Sequence, residues 1–272
     1  MQPKIVFLGS GGDSTVVGKQ KRASGGIILR VEGYQFHLDP GPGALVKAKE
    51  YGINPRENTA ILVSHAHINH ADDVNSLISA MTYNGLDRKG VVICSDSVLE
   101  GTDDVTPVLS SFSYKNVERV IKLRSEQKVG IENVEIHAIS TAHSDKTGIG
   151  FKIFTPDFTL SYSGDTAYSN EIVDQYKDSD IIILNTVYPK DVKSDINLTL
   201  DDTIKIVKRI KPKLCIITHF GNKLIDADPI YEAREIQKET GTQVIAAVDG
   251  LEIHPLSYAA RSSQKTLNTY SK

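Results

Sequence analysis

A short apolar run, Ala60-Ile61-Leu62-Val63-Ser64, leads straight into His65-Ala66-His67-Ile68-Asn69-His70. A run this brief and this apolar reads as a strand buried on both faces, so the chain must supply covering layers on either side of its sheet. Three imidazoles within six residues leave that strand together. His65 and His67 are two apart, so on an extended segment both rings face the same side. His70 follows as the chain turns into a helix. Neutral imidazole is a good ligand for zinc, iron and similar ions. Three histidines so placed predict a metal site beyond a sheet edge.

The same context recurs further on. A strand over 134–141 precedes His143, one over 159–163 precedes Asp165, and one over 214–218 precedes His219. If these strand ends share one edge, the three groups converge with the first cluster, because open sheets favour sites beyond strand ends. Each residue alone reads equally as a surface or hydrogen-bonded group. His37, His137 and His254 lie inside strand-like runs and read as structural.

Other signals fill in the frame. Strands are expected at 5–8, 26–31, 34–38, 91–94, 148–154, 181–184 and 243–247, and a hairpin turn at Glu32-Gly33. A second hairpin is read through Asp249-Gly250. The run Asp39-Pro40-Gly41-Pro42-Gly43 stops a strand. Helices are expected over 44–51, 73–82, 171–176, 199–210 and 230–239; in the second, Val74, Leu77, Ile78 and Met81 fall at helical spacing. Residues 101–114, rich in Ser, Thr, Asp and Pro, read as a long loop near the site. The fold class is α+β: a four-layer αβ/βα sandwich of two mixed sheets, with helices on the outer faces. One domain is read over 1–256, and a polar tail over 257–272.

The chain has 272 residues, 40% of them hydrophobic, enough for a sizeable core. Its net charge of −3 gives no general pull toward nucleic acid or anionic lipid. Lys19, Lys21 and Arg22 make a basic loop, either solvated or placed to contact a phosphate. No apolar run approaches the roughly 20 residues that span a bilayer. The first residues read as a strand and turn rather than a secretory leader. Cys94 and Cys215 sit in apolar runs and read as buried small hydrophobes, which points to a reducing cytoplasm.

The His-rich cluster resembles the His-x-His-x-Asp-His signature of the metallo-β-lactamase superfamily. LGSGG at 8–12, LDPGPG at 38–43, TAHS at 141–144, SGDT at 163–166 and THFG at 218–221 follow the superfamily's order. The branch is similar to the phosphodiesterases and tRNA-processing nucleases, and in particular to archaeal-type members. The resemblance implies a site between the sheets for one or two divalent transition metal ions, zinc first, with manganese or iron as alternatives. It implies that His65, His67 and His143 hold one ion, that His70 and His219 hold a second, and that Asp165 bridges them. Asp39 would orient a ligand from behind. The implied activity is hydrolysis of a phosphodiester, with a small-molecule or nucleotide substrate; RNA is an option with little support in the charge pattern. A homodimer is compatible with the resemblance.

Two positions depart from the pattern. Asn69 stands where the signature has Asp, and a neutral amide is the weaker ligand, which predicts a weakened second site. Asp72 or Asp73 could replace it, or could begin the next helix. Asn197, in NLTLDD, stands where phosphodiesterase relatives carry a histidine that protonates the leaving oxygen. Asp165, Asn69 and Asn197 are therefore the candidate catalytic positions. The departures leave open a degenerate member that binds metal or ligand with little turnover.

Overall fold

The computed structural model describes residues 2–259. Its first sheet is built from Lys4–Gly9 (β1), Ser24–Val31 (β2), Tyr34–Leu38 (β3), Asn58–Val63 (β4), Val91–Cys94 (β5) and Arg119–Lys122 (β6). The second follows with Lys128–Ile131 (β7), Val134–Ser140 (β8), Ile149–Phe154 (β9), Thr159–Tyr162 (β10), Ile181–Tyr188 (β11), Leu198–Thr199 (β12), Leu214–Thr218 (β13) and Gln243–Ala246 (β14). Glu252–Ile253 (β15) then returns to the first sheet. The strand orders are β15-β1-β2-β3-β4-β5-β6 and β14-β13-β11-β10-β9-β8-β7, with β12 paired to β11. Both sheets mix parallel and antiparallel neighbours.

The period-two alternation of a strand explains the layering. In β11, Ile181 and Ile183 enter the core between the sheets, while Ile182 and Leu184 enter the core beneath the helices Leu200–Ile210 and Pro229–Thr240. In β4, Leu62 points between the sheets. Its neighbours Ile61 and Val63 pack with Val74, Leu77, Ile78 and Met81 of the helix Val74–Met81. Strands with two buried faces are apolar at every position, which is why these runs show no alternation in sequence. The α+β four-layer sandwich is the fold observed.

The structure corrects several local expectations. Asp249-Gly250 is not a hairpin turn: β14 and β15 belong to different sheets, and the segment between them crosses from one to the other. The Asp249 carboxylate ties this crossing down by accepting from Ser10 N, Ser10 Oγ and Ala23 N at 2.8–2.9 Å. Residues 101–114 are not loop throughout, because Ser111–Asn116 is a helix whose N-cap, Ser110, accepts from Ser113 N. Strands β6 and β7 were not foreseen. They close one edge of each sheet and carry Arg119, Lys122 and Lys128, basic side chains that blunt edges and hide a strand signal. Of the expected tail, Ser257–Ala259 falls in the helix Leu256–Ala259 and Ala259 joins the core, while 260–272 lie outside the described residues.

Candidate metal centre

Strand direction gathers the site. β1, β3 and β4 run one way in the first sheet, and β8, β10, β11 and β13 share a direction in the second. Their C-terminal ends therefore lie along one edge of each sheet, where ligand sites of open sheets form. Asp39 follows β3, His65 lies two residues past β4, His143 and Asp165 three past β8 and β10, and His219 directly follows β13. The two edges are stitched together: Gly12 N donates to Phe220 O at 3.0 Å and Phe220 N to Ser10 O at 2.8 Å. Gly12 has to be glycine, since a Cβ there would lie 2.2 Å from the His219 carbonyl oxygen and 2.4 Å from its Nδ1. Asp39 (φ 48°) and His219 (φ 63°) both hold left-handed backbone, a strain of order 1 kcal/mol or more each that surrounding contacts must offset.

All six expected side chains meet. His65, His70 and Asp165 are buried, and His67 and His143 partly so. His65 Nε2 lies 2.9 Å from His67 Nδ1, which lies 3.1 Å from His143 Nε2. His70 Nε2 lies 2.9 Å from His219 Nε2 and 3.3 Å from Asp165 Oδ2. That same carboxylate oxygen is 3.8 Å from His143 Nε2 and 4.0 Å from His65 Nε2.

The outward nitrogens fix the tautomers. Asp39 accepts from Ser64 N, Ser64 Oγ, His70 Nδ1 and Tyr162 Oη at 2.6–2.8 Å. Because the Ser64 hydroxyl donates to Asp39, its oxygen accepts the His65 Nδ1–H at 2.9 Å. His143 Nδ1–H donates to the Ile196 carbonyl at 2.6 Å. With the proton held outside, the Nε2 lone pairs of His65 and His143 point inward beside His67 Nδ1. Backing acceptors orient metal-binding imidazoles in this way. Tetrahedral zinc at ~2.05 Å sets its nitrogens ~3.3 Å apart. The His65–His67 and His67–His143 spacings need open by only a few tenths of an ångström, and all three atoms lie within 4.8 Å of one another, so this donor set fits a transition metal ion.

Electrostatics agree. Burial, and then the charges of neighbouring imidazoles, hold His65 well below its ordinary value; His67 is lowered for the same reasons, and burial brings His219 down to about 4. These rings are neutral at pH 7. Burial also opposes charging of His70, but the carboxylates of Asp165 and Asp39 on either side outweigh it and raise this group to about 10. Burial pushes the Asp165 carboxyl up, yet His219, His70 and His65 around it hold it well below the usual range.

Several neighbours had no signal in the sequence. Asn185, inside β11, donates to Asp165 Oδ1 at 2.8 Å and to Tyr162 Oη at 3.1 Å. Asp145 accepts from Ala66 N at 3.3 Å and from Thr147, bracing the His-rich turn. Asn69 does reach the centre: its Nδ2 donates to Gly12 O at 2.9 Å and lies 3.0 Å from His219 Nε2. Asn197 is buried at the adjoining segment, which bears on the centre through the carbonyl of its neighbour Ile196. Asp73 does not replace Asn69, since its carboxylate accepts from Leu45 N. A cavity of about 260 Å³ opens beside His67, walled by Thr102, Asp103, Asp104, Asp145 and Lys146, so the 101–114 segment does reach the site.

A family model described as a beta-lactamase superfamily domain matches residues 34–220. An uncharacterized protein of Methanocaldococcus jannaschii is 32% identical over 259 residues, covering 94% of this chain and 97% of its own length. A ribonuclease Z of Sulfolobus acidocaldarius is 21% identical over 280 residues, covering 87% and 94%. The crystal structure of the metallo-beta-lactamase fold protein YhfI from Bacillus subtilis superposes with a TM-score of 0.78 at 19% identity, over 93% of this chain and 99% of that one. A family match over more than half of the sequence, on the two-sheet fold whose strand ends gather these six side chains, shows that the chain belongs to the metallo-β-lactamase superfamily.

Proposed function

We propose that this protein is a metal-dependent hydrolase of small phosphodiesters, nucleotide esters among them. The observation that carries the reading is the set of three inward ring nitrogens, from His65, His67 and His143, beside the ionised, buried Asp165. A divalent cation held there, zinc by preference with manganese or iron as alternatives, makes water a nucleophile near neutral pH and offsets charge building on phosphoryl oxygens. Asp165 Oδ2 faces His65, His70 and His143 and is placed to hold and orient the attacking water. Asp39 and the Ile196 carbonyl keep the imidazole protons on the outside. The likeness to an enzyme named ribonuclease Z supports a phosphodiester. The cavity beside His67 supports a small one. It is below the ~300–1,000 Å³ usual for drug-sized ligands, and on its wall Asp103, Asp104 and Asp145 outnumber Lys146, which disfavours a polyanion such as RNA.

The test is release of nitrophenol from bis(4-nitrophenyl) phosphate and hydrolysis of a panel of nucleotide diesters. Turnover should vanish on chelation, return with zinc or manganese, and fall about 100-fold or more in His143→Ala. Protein carrying its metal yet inert on every ester would overturn the reading. It would favour the alternative that Asn69 motivates, a member that binds metal or ligand with little turnover.

A further inference from the structure

The two halves of the centre differ in what faces inward. In the first half, the outer nitrogens of His65 and His143 carry their protons to Ser64 Oγ and the Ile196 carbonyl. The Nε2 lone pairs of His65 and His143 are left converging on His67 Nδ1. In the second half, the single lone pair of His219 Nε2, which would ligate a cation, already receives an amide proton. The Asn69 amide is fixed in orientation because Gly12 O only accepts, so the group 2.9 Å from it must be the NH₂. The same nitrogen lies 3.0 Å from His219 Nε2 and donates to it. Asn185 Nδ2 donates to Asp165 Oδ1, the carboxylate oxygen nearer His219 (3.5 Å), at 2.8 Å, and this oxygen keeps a second lone pair. Room is not the obstacle. A cavity of about 30 Å³ adjoins Asn69, His70 and His219, the share of one water in the liquid.

We infer that this chain holds a single metal ion, on His65, His67 and His143, and that the Asn69 amide donor occupies the one Nε2 lone pair of His219 that a second ion would need. The inference rests on the hydrolase reading only for the presence of the first ion. A cation at the second position would have to break the Asn69–His219 contact and would meet a neutral Asn69 where a carboxylate could repay the loss. His219 in this protein is therefore a hydrogen-bond acceptor that shapes the pocket rather than a ligand.

The test is metal stoichiometry by titration calorimetry with zinc, and by the visible bands of cobalt(II)-loaded protein, on the full chain. Saturation at one ion per chain is expected, with a single set of cobalt bands. His219→Ala should still bind one ion, and His143→Ala should lose it. Asn69→Asp should take up a second equivalent. Two ions in the unaltered chain, or loss of the ion in His219→Ala, would overturn the inference and leave the hydrolase reading standing. One ion without ester hydrolysis would overturn the hydrolase reading and leave this one. No uptake at all would overturn both. If Asn69→Asp fails to fold, the unaltered chain and His219→Ala still decide.

Discussion

Asp39 shows how much one residue can carry here. Its carboxylate receives four hydrogen bonds and orients His70 directly and His65 through Ser64. An amide has one acceptor oxygen, so Asp39→Asn leaves buried donors facing an NH₂. We expect a loss of about 3 kcal/mol in urea unfolding and about 10–100-fold weaker metal binding by titration. An unchanged affinity would mean that Ser64 and Tyr162 position the rings without it. Gly12→Ala meets backbone rather than a flexible side-chain end, at 2.2 Å from the His219 carbonyl, so the 218–221 turn must move. Its expected signature is altered metal binding with the sheets intact by circular dichroism. These contacts carry no periodic signal: Asn185 lies just past the strand expected at 181–184, and its role comes from a register that places Asn185 opposite Thr218, one residue before His219.

At the scale of elements, the helix Leu200–Ile210 is specified locally and held tertiarily. Thr199 and Asp202 form a capping box, and Ile204 and Val207 seat its inner face on the second sheet. Thr199→Ala should cost about 1 kcal/mol, with metal stoichiometry unchanged. Ile183→Ala, a fully buried truncation between the sheets, should cost about 2–5 kcal/mol. Equal losses by chemical denaturation would show that the helix end is as firmly coupled to the core as the strand. The helix was legible because Ile204, Val207 and Ile210 recur at helical spacing. The edge strands β6 and β7 were not, since charge on an edge looks like loop.

Across the whole molecule, the balance between burial and ionisation sets acid tolerance. His37 is buried, with Nε2–H donating to Gly25 O at 2.7 Å, and burial lowers it from 6.5 to about 4. Below pH 6.5 the unfolded chain takes up a proton that the folded one refuses, so stability falls as pH drops through 6.5 toward 4. The linkage is about 3 kcal/mol over that window. His37→Gln, which keeps a donor, should flatten the slope of unfolding free energy against pH by that amount; an identical slope would place the acid sensitivity elsewhere. Chelation should lower Tm, because an ion that binds only the folded chain stabilises it by mass action. Among the described residues no helix is long and apolar enough to cross a membrane.

The linear pattern determined the sandwich and nominated the six side chains that meet. Strand runs, their apolar faces and the residues just past their ends are local properties, and local properties survive in a one-dimensional string. What only the tertiary structure decided is which atoms face which. The Asp249 crossing depends on which sheet claims β15, a pairing between residues about 250 apart. The character of the second half of the centre depends on the Gly12 carbonyl, beyond β1, meeting the Asn69 amide, beyond β4, along the edge of the first sheet. A sequence names the side chain but not the partner that settles its orientation; hydrogen-bond direction is fixed by distant neighbours, and only folding brings them to contact distance.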